Sequence, residues 1–325
     1  MSPILILSLI LCYFTVLLVI SWFTGKKATN ETFFLANKSA PWYLVAFGMV
    51  GASLSGITFI SVPGKVGNPI DQMSYLQMVL GFMLGYVFIA YVLMPIYYKL
   101  QVTSIYTYLQ RRFGQGAYKT GAFYFLLSRS FGASIRLLLV AVVLQEILFS
   151  KWGVPFWMTV IFSILLIWVY TFRGGIKTII FTDTLQTAFM LTSLGLSIWL
   201  ISTKLDFGEV GLISTITESS YSKVWFFDNF ATNKFHFWKE FIGGFFICIT
   251  MTGMDQDMMQ KNLACPNIKD AQKNMISFAV VLGIVNVLFM ALGALLFIYK
   301  GAVDFELPLS VAGSPRTDLL FPLVA

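Results

Sequence analysis

Apolar residues run along this chain in blocks about as long as a bilayer is thick. Eight blocks are legible, over 3–22, 41–62, 76–98, 120–148, 154–171, 178–201, 238–256 and 274–298. A helix of about 20 apolar residues crosses the hydrocarbon core, so each block predicts a membrane-spanning helix. The stretch QVTSIYTYLQRRFG (101–114) is short and amphipathic, and predicts a helix lying along the inner surface. Residues 202–237 are rich in Ser, Thr, Asp and Glu and predict an external cap. The first block has neither a charged n-region nor a small-residue cleavage site, so it predicts a retained helix and not a signal peptide.

Composition narrows the class. Of 325 residues, 58% are hydrophobic and 11% charged, against about 25% charged in soluble domains. That excludes an ordinary soluble fold and predicts an all-α polytopic membrane protein. The net charge of +7 fits loops facing anionic lipid and gives no reason to expect nucleic acid. With the N-terminus outside, the inner loops collect Lys26, Lys27, Lys38, Lys99, Arg111, Arg112, Lys119, Arg173, Lys177, Lys261, Lys269 and Lys273. Cations in short loops set topology, so the sequence predicts a multi-pass protein of the cell (plasma or inner) membrane, N-terminus outside. Trp22, Trp42, Trp152 and Trp238 fall near span ends, at headgroup depth. Cys12, Cys248 and Cys265 form no disulfide or metal pattern. His236, among Phe235, Phe237 and Trp238, reads as an interfacial spectator. No GxxxxGK[ST] motif, metal-ligand spacing or Ser–His pair occurs, so neither an ATP-driven motor nor an enzyme is expected.

Polar groups inside a membrane mark functional cavities by default. The stretch GMVGASLSGITFISVPG (48–64) holds Gly48, Gly51, Gly56 and Gly64, with Ser53, Ser55, Thr58 and Ser61. It reads equally as a packing face of the GxxxG kind and as a broken helix whose freed carbonyls and hydroxyls hold a cation. Arg136 lies mid-span in SRSFGASIRLLLVAVVL. Its guanidinium needs an anion, either an acid on another helix (Glu146, Asp183 or Glu240) or a substrate carboxylate. Arg129, nearer the inner surface, reads as structural or snorkelling. In RGGIKTIIFTDTLQ (173–186) a tight turn precedes Asp183, the acid best placed for a second cation or a proton. In TGMDQDMMQKNLAC (252–265), Asp255 and Asp257 read as stabilising a loop or an inner gate.

SLSGITFISVPGK, TSIYTYLQRRFG, GGIKTIIFTDTLQ and TGMDQDMMQK occur in the order seen in the sodium:solute symporter family, which this chain resembles over most of its length. Within it the likeness is greatest to the bacterial sialic acid symporters. The resemblance implies a LeuT-like fold of two inverted five-helix repeats preceded by one extra helix. Residues 1–325 would form one transmembrane transporter domain: the extra helix at about 3–22, the first repeat at about 41–201 and the start of a second, incomplete repeat at about 238–325. SPRTDLLFPLVA reads as the approach to a further span, so the chain is expected to be a fragment. The implied activity is sodium-coupled import of a small solute, a carboxylate such as sialic acid or another sugar acid, by alternating access. The alternatives are a proton- or sodium-coupled carrier of a sugar, amino acid or monocarboxylate, and a solute sensor that does not transport. By the same resemblance Gly51 and Leu54 offer carbonyls to sodium and Asp183 serves a second sodium site. Ser53, Ser55, Thr58 and Gln77 face the solute, and Arg136 holds its carboxylate. The implied partners are sodium, the solute and lipid, with no cofactor and no obligatory protein partner.

Overall fold

The computed structural model describes residues 3–25, 36–54, 56–100, 104–171, 175–205, 211–303, 307, 317 and 320–324. Every regular element among them is helical. α1 spans Pro3–Gly25, α2 Trp42–Ser53 and α3 Gly56–Val66. α4 is Tyr75–Lys99, with a π-helical turn at Ile89–Leu93. α5 is Tyr106–Phe113, and α6 is Gln115–Leu144, extended by a π-helical turn at Gln145–Phe149. α7 spans Phe156–Thr171, α8 Gly175–Leu205 and α9 Leu212–Thr217. α10 is Phe237–Cys248 with a π-helical turn at Ile249–Gly253, followed by α11 at Gln256–Leu263. α12 spans Ile268–Val303 and α13 Leu320–Val324.

All eight predicted spans start within about six residues of the start of a helix here, because long apolar blocks have no other way to satisfy their backbone in lipid. Among the described residues five helices are long and apolar enough to cross a membrane unaided: those at Ile4–Thr24, Tyr75–Lys99, Gln115–Val142, Gly175–Leu205 and Ile268–Val303. Two of the other predicted spans are interrupted. Block 41–62 divides into α2 and α3 around Leu54. Block 238–256 ends as a π-helical turn at Gly253, and Asp255 is extended (φ −97°, ψ 128°) before α11 begins. The predicted surface helix forms as α5, with none of its side chains buried.

The chain divides into two compact units. One contains Met1–Val45, Pro95–Asp183 and Met254–Ala271; the other contains Ala46–Met94, Thr184–Gly253 and Gln272–Ala325.

In the first unit α11 is the hub. The Ala40 N–H donates to the Ala264 carbonyl at 3.2 Å, and the Ile105 N–H donates to Gln256 Oε1 at 2.9 Å. The Tyr98 hydroxyl lies 3.1 Å from both the Asn262 and the Cys265 carbonyls, which accept from it. Asp255 caps α11 by accepting from the Met258 N–H at 3.1 Å, and it also pairs with Arg129 of α6. Burial and the negative field of Asp255 raise the Tyr106 phenol above its ordinary value, against the pull of Arg129. Of the two sequence readings of Arg129, the structural one therefore holds. Cys265 is fully buried beside this hub, and burial together with Asp270 pushes its thiol up to about 12. Only thiolates attack maleimides, so Cys265 should stay unlabelled by N-ethylmaleimide near neutral pH. Mass spectrometry should find it modified only after denaturation.

In the second unit α4 and α10 cross at very close range. A Cβ on Gly81 would overlap the Phe241 carbonyl, one on Gly244 the Met78 carbonyl, and one on Gly85 would lie 2.6 Å from Cys248 Cβ. Small residues spaced by four let two backbones approach in this way. α12 packs beside both partners of the interrupted block and beside α4. Asn274 Nδ2 reaches Met49 Sδ at 3.5 Å, the Phe289 and Phe59 rings meet edge to face at 5.0 Å, and the Tyr86 and Phe278 rings meet at 4.8 Å.

Candidate functional site

The interruption of block 41–62 is local in origin. Gly48, Gly51 and Gly56 weaken helix on either side, and α3 carries Pro63, which has no N–H to give. The Leu54 N–H still bonds the Val50 carbonyl at 2.8 Å, and there α2 ends. A helix end leaves its last carbonyls without intrahelical donors, and α2 ends on Gly51, Ala52 and Ser53. Gly51 and Leu54 are buried, while Ser53 and Thr58 are half-buried. Ser55, expected to face the solute, lies outside the described residues. The chain therefore gathers neutral oxygens at a helix break, an arrangement suited to a bare monovalent cation.

Gln77 belongs to the same unit and is fully buried. Its Nε2 donates to the Phe235 carbonyl at 3.0 Å, and its Oε1 accepts from the Phe226 N–H at 3.1 Å. The Met73 N–H donates to the Lys223 carbonyl at 3.1 Å. The start of α4 thus clamps the loop ahead of α10, and the Gln77 amide is engaged in that clamp. His236, read as an interfacial spectator, has a structural role at the start of α10. Its Nδ1 accepts from the Trp238 N–H at 3.3 Å, and its Nε2 lies 3.0 Å from the Phe227 carbonyl. The two contacts together fix the first turn of that helix.

Arg136 and Asp183 are placed in the first unit. Arg136 is exposed on α6 and makes no ion pair among the described residues. Asp183 pairs with Lys261 Nζ at 2.8 Å. The sequence places Lys261 among the inner-loop cations; in the structure it lies on α11 and is 4% exposed. It follows the buried Met258 by three residues along α11, which puts it on the packed side of that helix, a signal that a loop reading of 252–265 hides. The turn at 172–174 ahead of Asp183 lies outside the described residues.

Residues 33–315 match the sequence profile of the sodium:solute symporter family. The chain belongs to that family. It is 27% identical over 285 residues to the sodium/sialic acid symporter NanT of Aliivibrio fischeri, covering 86% of this chain and 54% of NanT. It is 26% identical over 291 residues to the sodium/sialic acid symporter SiaT of Proteus mirabilis, with 87% and 56% covered. It is 23% identical over 303 residues to the human sodium/iodide cotransporter, with 92% and 45% covered. The chain spans about half the length of these curated relatives. Among solved structures it resembles a Na+-coupled sialic acid symporter in a substrate-bound, outward-open state, with a TM-score of 0.82 at 23% identity over 97% of this chain and 65% of that one. That likeness shows the fold: this family member has the LeuT-like helical architecture expected from its motifs. Among the described residues, α2–α3 and α10–α11 are interrupted where the sequence predicts continuous spans.

Proposed function

We propose that the full-length protein is a sodium-coupled secondary symporter that imports an anionic solute, most simply a carboxylate such as sialic acid or another sugar acid. Family membership over residues 33–315 carries this reading. The names of the relatives support the charge of the solute, since sialic acid, iodide and monocarboxylates are all anions. In this reading residues 1–325 belong to one multi-pass transporter domain in the cell membrane, N-terminus outside. Sodium binds at the α2–α3 break on the carbonyls of Gly51 and Leu54, and the solute meets Ser53, Ser55 and Thr58. Arg136 takes the carboxylate through its fork of donors. Asp183 serves a second cation only when Lys261 releases it, because one carboxylate oxygen is already held at 2.8 Å. Gln77 acts from a distance, by holding the loop it clamps. Sodium running down its gradient orders the break and strengthens solute binding, and by linkage the solute strengthens sodium binding by the same factor.

The test is uptake of labelled sialic acid into proteoliposomes holding the full-length protein, with sodium or choline outside. Sodium-dependent uptake supports the whole reading. Arg136→Ala should then lower uptake of the acid by about 100-fold or more, as expected for losing a bidentate charged contact. Wild-type uptake by that variant removes Arg136 from the carboxylate site. Binding of solute without flux points to a sensor.

A further inference from the structure

α12 carries a buried polar side chain that the transport reading leaves unused. Asn286 is 1% exposed. Its Nδ2 donates to the Leu282 carbonyl one turn back, at 2.8 Å. That bond fixes the amide, because only the NH2 group can face a carbonyl. Oδ1 takes no part in that bond and is buried with no hydrogen-bond partner. Native structures leave few such atoms, and each calls for an explanation such as a ligand or an ion.

The packing of the second unit locates this oxygen. Residues 286, 289 and 293 share one face of α12 by their i, i+3, i+7 spacing. On that face Phe289 meets Phe59, and a Cβ on Gly293 would lie 2.7 Å from the Pro63 carbonyl. The two helices run in the same sense, since 289 pairs with 59 and 293 with 63. One turn before Phe289 therefore corresponds to one turn before Phe59. Asn286 falls at the level of Leu54–Gly56, where α2 ends and α3 has just begun. Asn274, further back along α12, lies beside Met49 of α2, which brackets the same level from the other side.

Two kinds of acceptor at that level have no donor from their own helices: the amide oxygen of Asn286 and the last carbonyls of α2. Freed acceptors at a helix break suit a cation. Neutral oxygens without a carboxylate suit a monovalent one better than Ca2+ or Mg2+, which are held mainly by charged oxygens. We propose that Asn286 is a cation ligand at the α2–α3 break, its Oδ1 binding an alkali ion jointly with the carbonyls of Gly51–Ser53. This deepens the symport reading and rests on it. It adds a ligand from α12, an element outside the four family motifs. An amide oxygen adds selectivity for a bare ion without adding charge, so the ion leaves again once the gradient favours release.

The test is sodium-dependent thermal stabilisation of the purified full-length protein, without solute, with choline replacing sodium at constant ionic strength. A ligand that binds only the folded state raises the unfolding temperature with its concentration. Asn286→Leu should unfold no earlier than wild type in choline, since it removes an unsatisfied buried oxygen. It should need about tenfold more sodium for the same stabilisation. Asn286→Asp, which keeps an oxygen, should retain the response. If leucine proves too bulky to fold, Asn286→Ala carries the same expectation. A sodium titration of the Leu or Ala variant that overlays wild type overturns the assignment while leaving sodium-dependent uptake, and with it the proposed function, intact. Lost solute affinity with an unchanged sodium titration overturns it as well. A wild-type protein with neither stabilisation nor uptake by sodium overturns both readings.

Discussion

Lys261→Met is expected to destabilise the protein by about 3 kcal/mol, and adding Asp183→Asn in the same chain should recover most of that loss. Methionine keeps the length and apolar stem of lysine but removes the ammonium. Lys261 is 4% exposed, and the side chain of Asp183 is 18% exposed. Neither charge has enough water to replace its partner. Exposed ion pairs contribute about 0–1 kcal/mol, whereas removing one member of a buried pair leaves an uncompensated charge. The pair also ties α8 to α11 inside the first unit, where α11 already holds Arg129 and Tyr98 through its flanks. The check is a double-mutant cycle on apparent unfolding midpoints in one detergent. A Lys261→Met protein as stable as wild type would place the pair among the weak surface kind. It would also leave Asp183 free to act as a cation site without competition.

What the sequence made legible follows the physics of a bilayer. The spans were readable because lipid permits few alternatives to a helix, so apolar length alone locates them. The break at Leu54 was readable as one of two options, because glycines and hydroxyls serve both a break and a packing face. The structure shows α2 ending at Ser53 and α3 beginning at Gly56, and it places tight crossings on glycines of other helices: Gly81 and Gly85 of α4 against α10, Gly244 of α10 against α4, and Gly293 of α12 against Pro63. Nothing in the local pattern around Gly81 distinguishes it from any glycine in an apolar helix, since the decisive neighbour is more than a hundred residues away. Gln77 and Lys261 were illegible for the same reason. Gln77 is engaged by backbone groups of a loop remote in sequence, and a lysine in a polar stretch looks solvated until its acid is found. Asn286, a lone amide in an apolar block, resembles a helix-packing residue until its unpaired oxygen is seen.

Gly244→Ala is expected to lower stability, while Gly243→Ala, one residue away, should raise it. Alanine normally favours a helix over glycine by about 1 kcal/mol, and nothing lies within 4 Å of a Cβ built on Gly243. That substitution should therefore be stabilising by about the intrinsic amount. At Gly244 the obstacle is the Met78 carbonyl of α4, a backbone atom that cannot rotate aside. The two helices must separate, and the matching contact of Gly81 on the Phe241 carbonyl must open with them. Overpacking of this kind costs about 1–3 kcal/mol, which outweighs the propensity gain and reverses the sign. Gly81→Ala should behave like Gly244→Ala. The double variant should cost less than the sum of the singles, because helices already parted by one methyl accommodate the second. Apparent melting midpoints of the four variants in the same detergent decide it. If Gly244→Ala and Gly243→Ala both stabilise, α4 and α10 do not cross at the distance described. If Gly244→Ala and Gly81→Ala destabilise while Gly243→Ala stabilises, α4 and α10 cross at the close range described.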